Sequence, residues 1–139
     1  MTSPAEQYPY VEIDPALGAA SRLPYLPLSL SSQGRTITAL ALLDTGSTVN
    51  VLPYDAGLQL GALWEQQTTS LRLTGNLAGF EGRALLLTAT IGKFPPVRLA
   101  FAWVQANTIP IILGQINFLL EFDVCFFRSR SLFEIKPKS

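Results

Sequence analysis

Histidine is absent from this 139-residue chain, and cysteine occurs only once, as Cys125. Without histidine, neither a Ser-His-Asp nor a Cys-His catalytic arrangement can form. A typical zinc site needs several His or Cys ligands, which a single cysteine does not supply. If the chain is an enzyme, its acids and bases must come from Asp, Glu, Lys, Tyr or a bound cofactor. We expect no metal site and no cofactor.

Charged residues are also scarce, at 14% of the chain against roughly 25% in an average globular protein. The ten basic and ten acidic side chains cancel, so we expect no broad attraction to nucleic acid or to an anionic membrane. Hydrophobic residues reach 48%, which indicates a very full core or an additional buried face. A self-association surface is the simplest place for this excess.

Neither a secretory signal nor a membrane-spanning segment is recognisable in the sequence. Residues 1–6 lack the basic and apolar regions of a signal peptide. The most apolar window, residues 109–127, is interrupted by polar and charged residues, and no run of about 20 apolar residues occurs. A lone cysteine provides no disulfide framework. These features favour a cytoplasmic protein in which Cys125 is an inert buried thiol.

Composition divides the chain into three parts. Residues 1–21 are rich in Pro, Ala, Ser and Gly and are interpreted as an extended N-terminal arm. Residues 22–136 are predicted to form one domain, and residues 137–139 a tail.

Short alternating apolar segments separated by turn residues predict an all-β barrel or sandwich. Two helical segments are expected, one turn at residues 55–60 capped by Asp55 and a short helix at residues 115–121. Strands are predicted at residues 10–13, 26–30, 35–43, 48–52, 68–74, 80–91, 97–105, 111–113, 122–127 and 132–135.

Asp44 stands apart from the other acidic residues, most of which lie where solvent is expected. It follows the uncharged run of residues 39–43 and is itself followed by Thr45 and Gly46. It therefore emerges from the end of a predicted buried strand into a tight turn, where glycine allows close backbone approach. Two interpretations are open: a turn residue that bonds its own main chain, or a carboxylate held in a partly desolvated cleft.

The context of Asp44 resembles the retropepsin-like aspartic proteases, the single-domain relatives of pepsin. The matching segments are Leu42-Leu43-Asp44-Thr45-Gly46-Ser47, the flap-like Gly75-Asn76-Leu77-Ala78-Gly79-Phe80, and Ile112-Leu113-Gly114. The resemblance covers about residues 22–135. It implies a closed or partly open β-barrel of the retropepsin type with one short helix near the C-terminus, and an aspartic endopeptidase that works as a homodimer.

Elementary chemistry supports the same mechanism. Peptide hydrolysis without histidine or metal needs one carboxylate to take a proton from water and a second acid to protonate the substrate. Two close carboxyl groups meet this need because both cannot ionise together, so that one proton is shared. One chain supplies a single Asp in this setting, and a two-fold dimer would bring Asp44 and its symmetry mate together. We expect activity to be highest below neutral pH.

The resemblance also implies a role for each residue of the motif. Asp44 is the catalytic carboxylate, and Thr45 bonds across the dimer axis and holds the two loops in register. Gly46 presents its carbonyl group to the substrate backbone. Ser47 bonds the outer carboxylate oxygen of Asp44 and tunes its acidity. By its own chemistry, the Thr45 hydroxyl has the alternative role of satisfying the turn.

The substrate is expected to bind as an extended strand, with apolar residues flanking the cut. Leu77 and Ala78 form the tip of a flap that closes over the peptide, and Ile112 either walls an apolar subsite or is a plain core residue. The predicted substrate-binding residues are Gly46, Ser47, Thr48, Leu77, Ala78 and Ile112.

Two positions depart from the pattern of the viral members. Thr48 occupies a position that is commonly acidic in them, and Gln115 one that is often Arg. Both members of a possible ion pair are therefore neutral in this chain. The departures leave a second hypothesis open, a catalytically silent domain of the same fold that serves as a dimerisation or peptide-binding module. A structural barrel in which Asp44 only caps a turn is a third.

Overall fold

A computed structural model of the chain describes residues 4–139. In this part of the chain there are twelve strands, two short α-helices and four 3₁₀ segments. The strands are β1 (Glu6–Pro9), β2 (Val11–Glu12), β3 (Arg22–Leu23), β4 (Tyr25–Ser32), β5 (Arg35–Leu43), β6 (Asn50–Leu52), β7 (Ser70–Arg72), β8 (Glu81–Thr90), β9 (Val97–Val104), β10 (Ile111–Leu113), β11 (Phe122–Phe127) and β12 (Leu132–Pro137). The helices are α1 (Tyr54–Gln59) and α2 (Phe118–Glu121), and the 3₁₀ segments are Gly18–Ser21, Trp64–Gln66, Gly75–Leu77 and Arg128–Arg130.

Six strands close a barrel in the order β4-β5-β10-β6-β9-β8, and β8 returns to pair with β4. Strand β7 lies outside the closure, hydrogen-bonded to the first part of β8. Two neighbouring pairs are parallel, β10 with β5 and β6 with β9. The predicted all-β barrel is confirmed.

The first hairpin shows how the local sequence determines register. In β4, Leu26, Leu28 and Leu30 are buried, while the residues between them are not. Gln33 and Gly34 both have positive φ, 49° and 82°, as a two-residue hairpin turn requires in order to match the twist of its strands. This turn pairs Ser32 with Arg35 and so places the whole leucine face of β4 toward the core.

The central strands are buried on both faces, and each face contributes to a different apolar cluster. In β9, Phe101 and Trp103 belong to the main cluster inside the barrel, whereas Ala102 and Val104 belong to a second, smaller cluster. Strand β10 is divided in the same way, because Ile112 faces the second cluster and its two neighbours face the first. Burial on both faces explains why these strands are continuously apolar rather than alternating.

The chain termini form a separate three-stranded sheet in the order β1-β12-β11. Phe133 of β12 is fully buried and lies against Tyr8 and Tyr10, with ring centroids 5.7 and 6.0 Å apart. Part of the predicted N-terminal arm is therefore a strand that packs on the domain. The division between arm and domain stays a prediction.

Both predicted helical segments are present, but they begin elsewhere. Helix α2 begins at Phe118 rather than at residue 115, because Asn117 has a φ of 78° that is incompatible with a helix. Helix α1 begins at Tyr54, with Pro53 at the N-cap position. The predicted cap at Asp55 was wrong, because this residue lies in the first turn and its side chain makes no capping hydrogen bond. The backbone N–H of Asp55 donates instead to Asn107 Oδ1 at 2.8 Å.

Cys125 is exposed, so the predicted buried thiol was wrong. It lies on β11 opposite Glu134 of β12, on the face turned away from the buried Phe133 and Ile135. The alternation of a two-stranded pair decides this exposure, which the surrounding aromatic residues obscure in the sequence. Among residues 4–139, no helix has the length and apolar character to cross a membrane.

Strand β1 is attached to the barrel by the carboxylate of Glu6. The Tyr8 hydroxyl donates to Glu6 Oε1 at 2.6 Å, and the backbone N–H of Lys93 donates to Glu6 Oε2 at 3.0 Å. Burial, followed by the hydrogen bond to Glu6 and the negative charge of Glu6, raises the pKa of Tyr8 well above its usual value. The neutral phenol is thus the form that stabilises this contact.

Replacing Tyr8 by Phe should lower the free energy of unfolding by about 1 kcal/mol at neutral pH, the typical loss of one hydrogen bond. Because the pKa of Tyr8 is raised on folding, its contribution is present below pH 10.0, the value of the unfolded tyrosine, and is lost as the pH rises further. Urea unfolding of both proteins at pH 7 and near pH 11 should show the gap closing in alkali. A gap that stays constant, or an equal effect of the control Tyr25→Phe, would contradict this assignment.

Candidate active site

Asp44 lies where two parallel strands end side by side. Strand β5 ends at Leu43, which pairs with Leu113 at the end of β10. The backbone N–H of Asp44 donates to the Leu113 carbonyl oxygen at 3.0 Å. The pairing therefore places Asp44 beside Gly114, the residue that follows β10. Two of the three segments that carry the family resemblance, residues 42–47 and 112–114, meet at this point.

The carboxylate of Asp44 is held by its own turn. Its Oδ1 accepts a hydrogen bond from the Gly46 N–H at 2.9 Å, and its carbonyl oxygen accepts one from the Ser47 N–H at 3.1 Å. This is the local bonding that Asp commonly makes in turns. Asp44 is only half-buried and also lines a cavity. The turn bonding of Asp44 is confirmed, and its role as a carboxylate in a partly desolvated cleft stays a prediction.

Ser47 makes a different hydrogen bond from the one expected. Its hydroxyl donates to the Val49 carbonyl oxygen at 2.7 Å rather than to the carboxylate of Asp44. The chain bends after Ser47, and this brings the Val49 carbonyl within reach of the hydroxyl. The hydrogen bond through which Ser47 was expected to tune the acidity of Asp44 is therefore not formed.

Gly114 is required by the close approach of two backbone segments. The next two residues, Gln115 and Ile116, donate their N–H groups to the carbonyl oxygens of Ser47 and Thr48 at 2.9 and 2.8 Å. A Cβ atom on Gly114 would lie 2.5 Å from the Val49 oxygen and 2.7 Å from that of Ser47. Only glycine fits such a contact without displacing the backbone.

Asn50 reinforces the same junction from inside the protein, and sequence reasoning missed it. It is the one fully buried polar side chain in the described part of the chain. Its Oδ1 accepts from the Gly114 N–H at 2.9 Å, and its Nδ2 donates to the Ala100 carbonyl oxygen at 3.1 Å. A buried amide with both ends bonded fixes the strands that it joins. Its signal in the sequence is a lone Asn inside an apolar strand.

A cavity of about 420 Å³ opens between the Asp44 turn, the central strands and the tip of the second hairpin. Among the described residues that line it, Asp44 is the one ionisable side chain. The walls are mainly aliphatic, with neutral polar groups beside them. The lining residues are Asp44, Gly46, Ser47, Thr48, Val49, Val51, Leu73, Thr74, Gly75, Asn76, Leu77, Ile109 and Ile112.

Most of the predicted site residues line this cavity: Asp44, Gly46, Ser47, Thr48, Leu77 and Ile112 do so, whereas Thr45 and Ala78 do not. Thr45 is exposed on the turn and Ala78 is exposed at the hairpin tip. The tip contains a 3₁₀ turn, which directs Leu77 onto the second apolar cluster and leaves its neighbour outside.

Several wall residues were not predicted. Val51 lies on β6 and Val49 directly precedes that strand, whereas Leu73 and Ile109 come from distant parts of the chain. Alternation along residues 49–51 is the signal that indicates the first two. In the part of the chain that the structure describes, no three His, Cys, Asp or Glu side chains converge closely enough to hold a metal ion.

Replacing Gly114 by Ala should lower the free energy of unfolding by about 3 kcal/mol or more, because the added methyl group collides with two carbonyl oxygens. Gly79→Ala at the hairpin tip is the matched control, since a Cβ there meets no atom within 4 Å. Thermal unfolding of both variants measures the difference. Equal midpoints would contradict the close contact at Gly114.

Comparisons with known proteins bear on the fold. Neither a scan against protein-family models nor a search of curated proteins gives a match. Among solved structures, the chain is similar to a retropepsin-like aspartic protease from Rickettsia conorii, with a TM-score of 0.62 and 15% sequence identity. The match covers 99% of this chain and 96% of that one. The barrel described above is thus the fold of the retropepsin-like aspartic proteases.

Proposed function

We propose that the protein is an aspartic endopeptidase that hydrolyses extended polypeptides with apolar residues flanking the cut. The observation that carries the proposal is the position of Asp44. It is the one ionisable side chain among the described residues lining the cavity, and it stands at the strand junction of a retropepsin-like fold. A turn residue with a purely structural role would not need an aliphatic cavity in front of its carboxylate.

The proposed reaction needs a second carboxyl group, and a second copy of the chain is its source. In a two-fold dimer each copy contributes Asp44, and the two groups share one proton because both cannot ionise at close range. The exposure of Thr45 and Gly46 leaves the turn accessible to a partner. Ile116, whose N–H is bonded to the Thr48 carbonyl oxygen, is 53% exposed and supplies apolar surface close to the same turn. Thr45 then bonds across the axis.

In the proposed mechanism, the ionised carboxylate of the pair removes a proton from water as the water oxygen attacks the peptide carbonyl carbon. The other carboxyl group donates its proton to the carbonyl oxygen, which forms a tetrahedral diol. The carboxyl group that took the water proton then donates it to the amide nitrogen, while a hydroxyl of the diol gives its proton to the other carboxylate. The C–N bond breaks, an acid and an amine leave, and the pair again holds one proton. The two Asp44 carboxyl groups are the only side chains of the protein that exchange protons in these proposed steps.

The lining of the cavity supports the choice of apolar substrate side chains. Val51, Leu73, Leu77 and Ile112 form a wall that belongs to the second apolar cluster. A charged substrate side chain would be desolvated against this wall with no opposite charge available among its residues. Gly46 offers its carbonyl group to an extended peptide, and Ser47 and Thr48 line the cavity beside it with neutral side chains. Ala78 lies at the tip of the proposed flap.

Replacing Asp44 by Asn should lower kcat for an apolar peptide library by about three orders of magnitude or more, because the variant cannot accept the proton of water. The control is Asp55→Asn, an exposed aspartate on α1 that does not line the cavity. Cleavage is measured by mass spectrometry of the products, with folding checked by circular dichroism. Undiminished cleavage by the Asp44 variant would contradict the proposed function. Peptide binding without cleavage by the wild type would favour the silent binding module.

The Asp44→Asn chain should also inhibit the wild type when the two are mixed. If each site takes one Asp44 from each copy, a mixed dimer has an incomplete pair. At fixed wild-type concentration, a tenfold excess of the variant should then reduce activity about tenfold. The Asp55→Asn chain should not reduce it. Activity that stays constant as the Asp44 variant is added would show that one chain acts alone.

A further inference from the structure

Gln115 contacts the Asp44 turn twice from the segment that follows β10. Its backbone N–H donates to the Ser47 carbonyl oxygen at 2.9 Å. Its side-chain Nε2 donates to the Thr45 carbonyl oxygen at 2.7 Å. The backbone contact is available to any residue at this position except proline, whereas the side-chain contact depends on a long side chain with a donor at its end.

The Thr45 carbonyl group belongs to the same peptide unit as the Gly46 N–H. That N–H donates to Asp44 Oδ1 at 2.9 Å. A continuous series of hydrogen bonds therefore runs from the Gln115 amide, through the Thr45–Gly46 peptide, to the carboxylate of Asp44. Hydrogen bonds in such a series polarise and strengthen one another. A rotation of the peptide plane would break both bonds together.

The remaining bonds of the turn do not restrain this peptide. The Asp44 N–H is bonded to Leu113 and the Ser47 N–H to the Asp44 carbonyl, and both fix the ends of the turn. Thr45 and Gly46 are themselves exposed. The Gln115 side chain is the contact from outside the turn that reaches its middle peptide.

We propose that Gln115 is a positioning residue for the carboxylate of Asp44, acting through the Thr45–Gly46 peptide. The catalytic consequence rests on the proposed peptidase function. A carboxamide keeps its donor and carries no charge at any working pH, so this contact survives the acidic conditions in which a carboxylate partner of an ion pair would be protonated. The neutral residues at positions 48 and 115 are consistent with a restraint that needs no ion pair.

The test compares two variants of Gln115 that remove the side-chain donor in different ways, one permanently and one only while a carboxyl group is ionised. Gln115→Met has a similar length and no donor, whereas Gln115→Glu has a similar shape and a donor only when its carboxyl group is protonated. Gln105→Glu is the control, because Gln105 is exposed and outside the cavity lining, and it adds a carboxyl group away from the turn. All variants are compared with the wild type at the same pH.

Loss of one hydrogen bond that aligns the turn should reduce kcat of Gln115→Met about fivefold at every pH, with KM changed less than twofold. Gln115→Glu should lose about tenfold at pH 6 and return toward the wild type below about pH 4, where glutamate is largely protonated. Gln105→Glu should match the wild type throughout. Equal losses in both Gln115 variants at all pH values would indicate a general packing role and overturn the proposal.

A readout that needs no catalysis separates this proposal from the proposed function. The solvent-exchange rate of the Gly46 amide proton, measured by NMR without substrate, should rise about fivefold in Gln115→Met relative to the wild type. The same rise is expected in Gln115→Glu at pH 6. An unchanged rate in both variants overturns the positioning role, whatever their activity. If the Gly46 exchange rate rises in the variants but the wild type has no peptidase activity, the positioning role is supported and only the proposed function is contradicted.

Discussion

The parallel pairing of β5 with β10 is the contact on which the rest of the structure depends. It joins two segments far apart in sequence and sets Asp44 beside Gly114. The pairing continues past the strand ends, because backbone N–H groups after Gly114 bond to the carbonyl oxygens of Ser47 and Thr48. Such close contact excludes a side chain at Gly114. Parallel strands have no local turn to hold them in register, so this glycine and the buried amide of Asn50 do so.

The same short strands build both the core and the cavity. Because β6, β9 and β10 bury both faces, one set of side chains fills the barrel and the alternate set forms the second apolar cluster. Val51 and Ile112 of that cluster line the cavity in front of Asp44. The proposed substrate wall is therefore built partly from closely packed barrel strands, which hold it in place. Residues outside the strands, such as Thr74 and Asn76, line the same cavity.

Local signals predicted the strands well and the side-chain environment less well. The hairpin of β4 and β5 follows from alternating leucines and a Gln-Gly turn, and the hairpin of β11 and β12 from two apolar runs around a basic turn. The predicted helix begins only after Asn117, because the backbone of this residue has a positive φ. Asn tolerates this conformation, but the presence of an Asn in a sequence does not predict it. Cys125 was assigned to the wrong face because both faces of β11 carry aromatic residues.

The sequence by itself determined the class of fold and singled out Asp44, because alternation, turn residues and an uncharged strand before the motif are local properties of the chain. Only the tertiary structure decided which side chains surround Asp44. Gln115, Asn50, Leu73 and Ile109 reach the site through strand pairings between distant segments, and one sequence contains no periodic signal for such pairings. The direction of the Ser47 hydroxyl was decided in the same way, by a chain bend that brings a carbonyl group closer to it than the carboxylate.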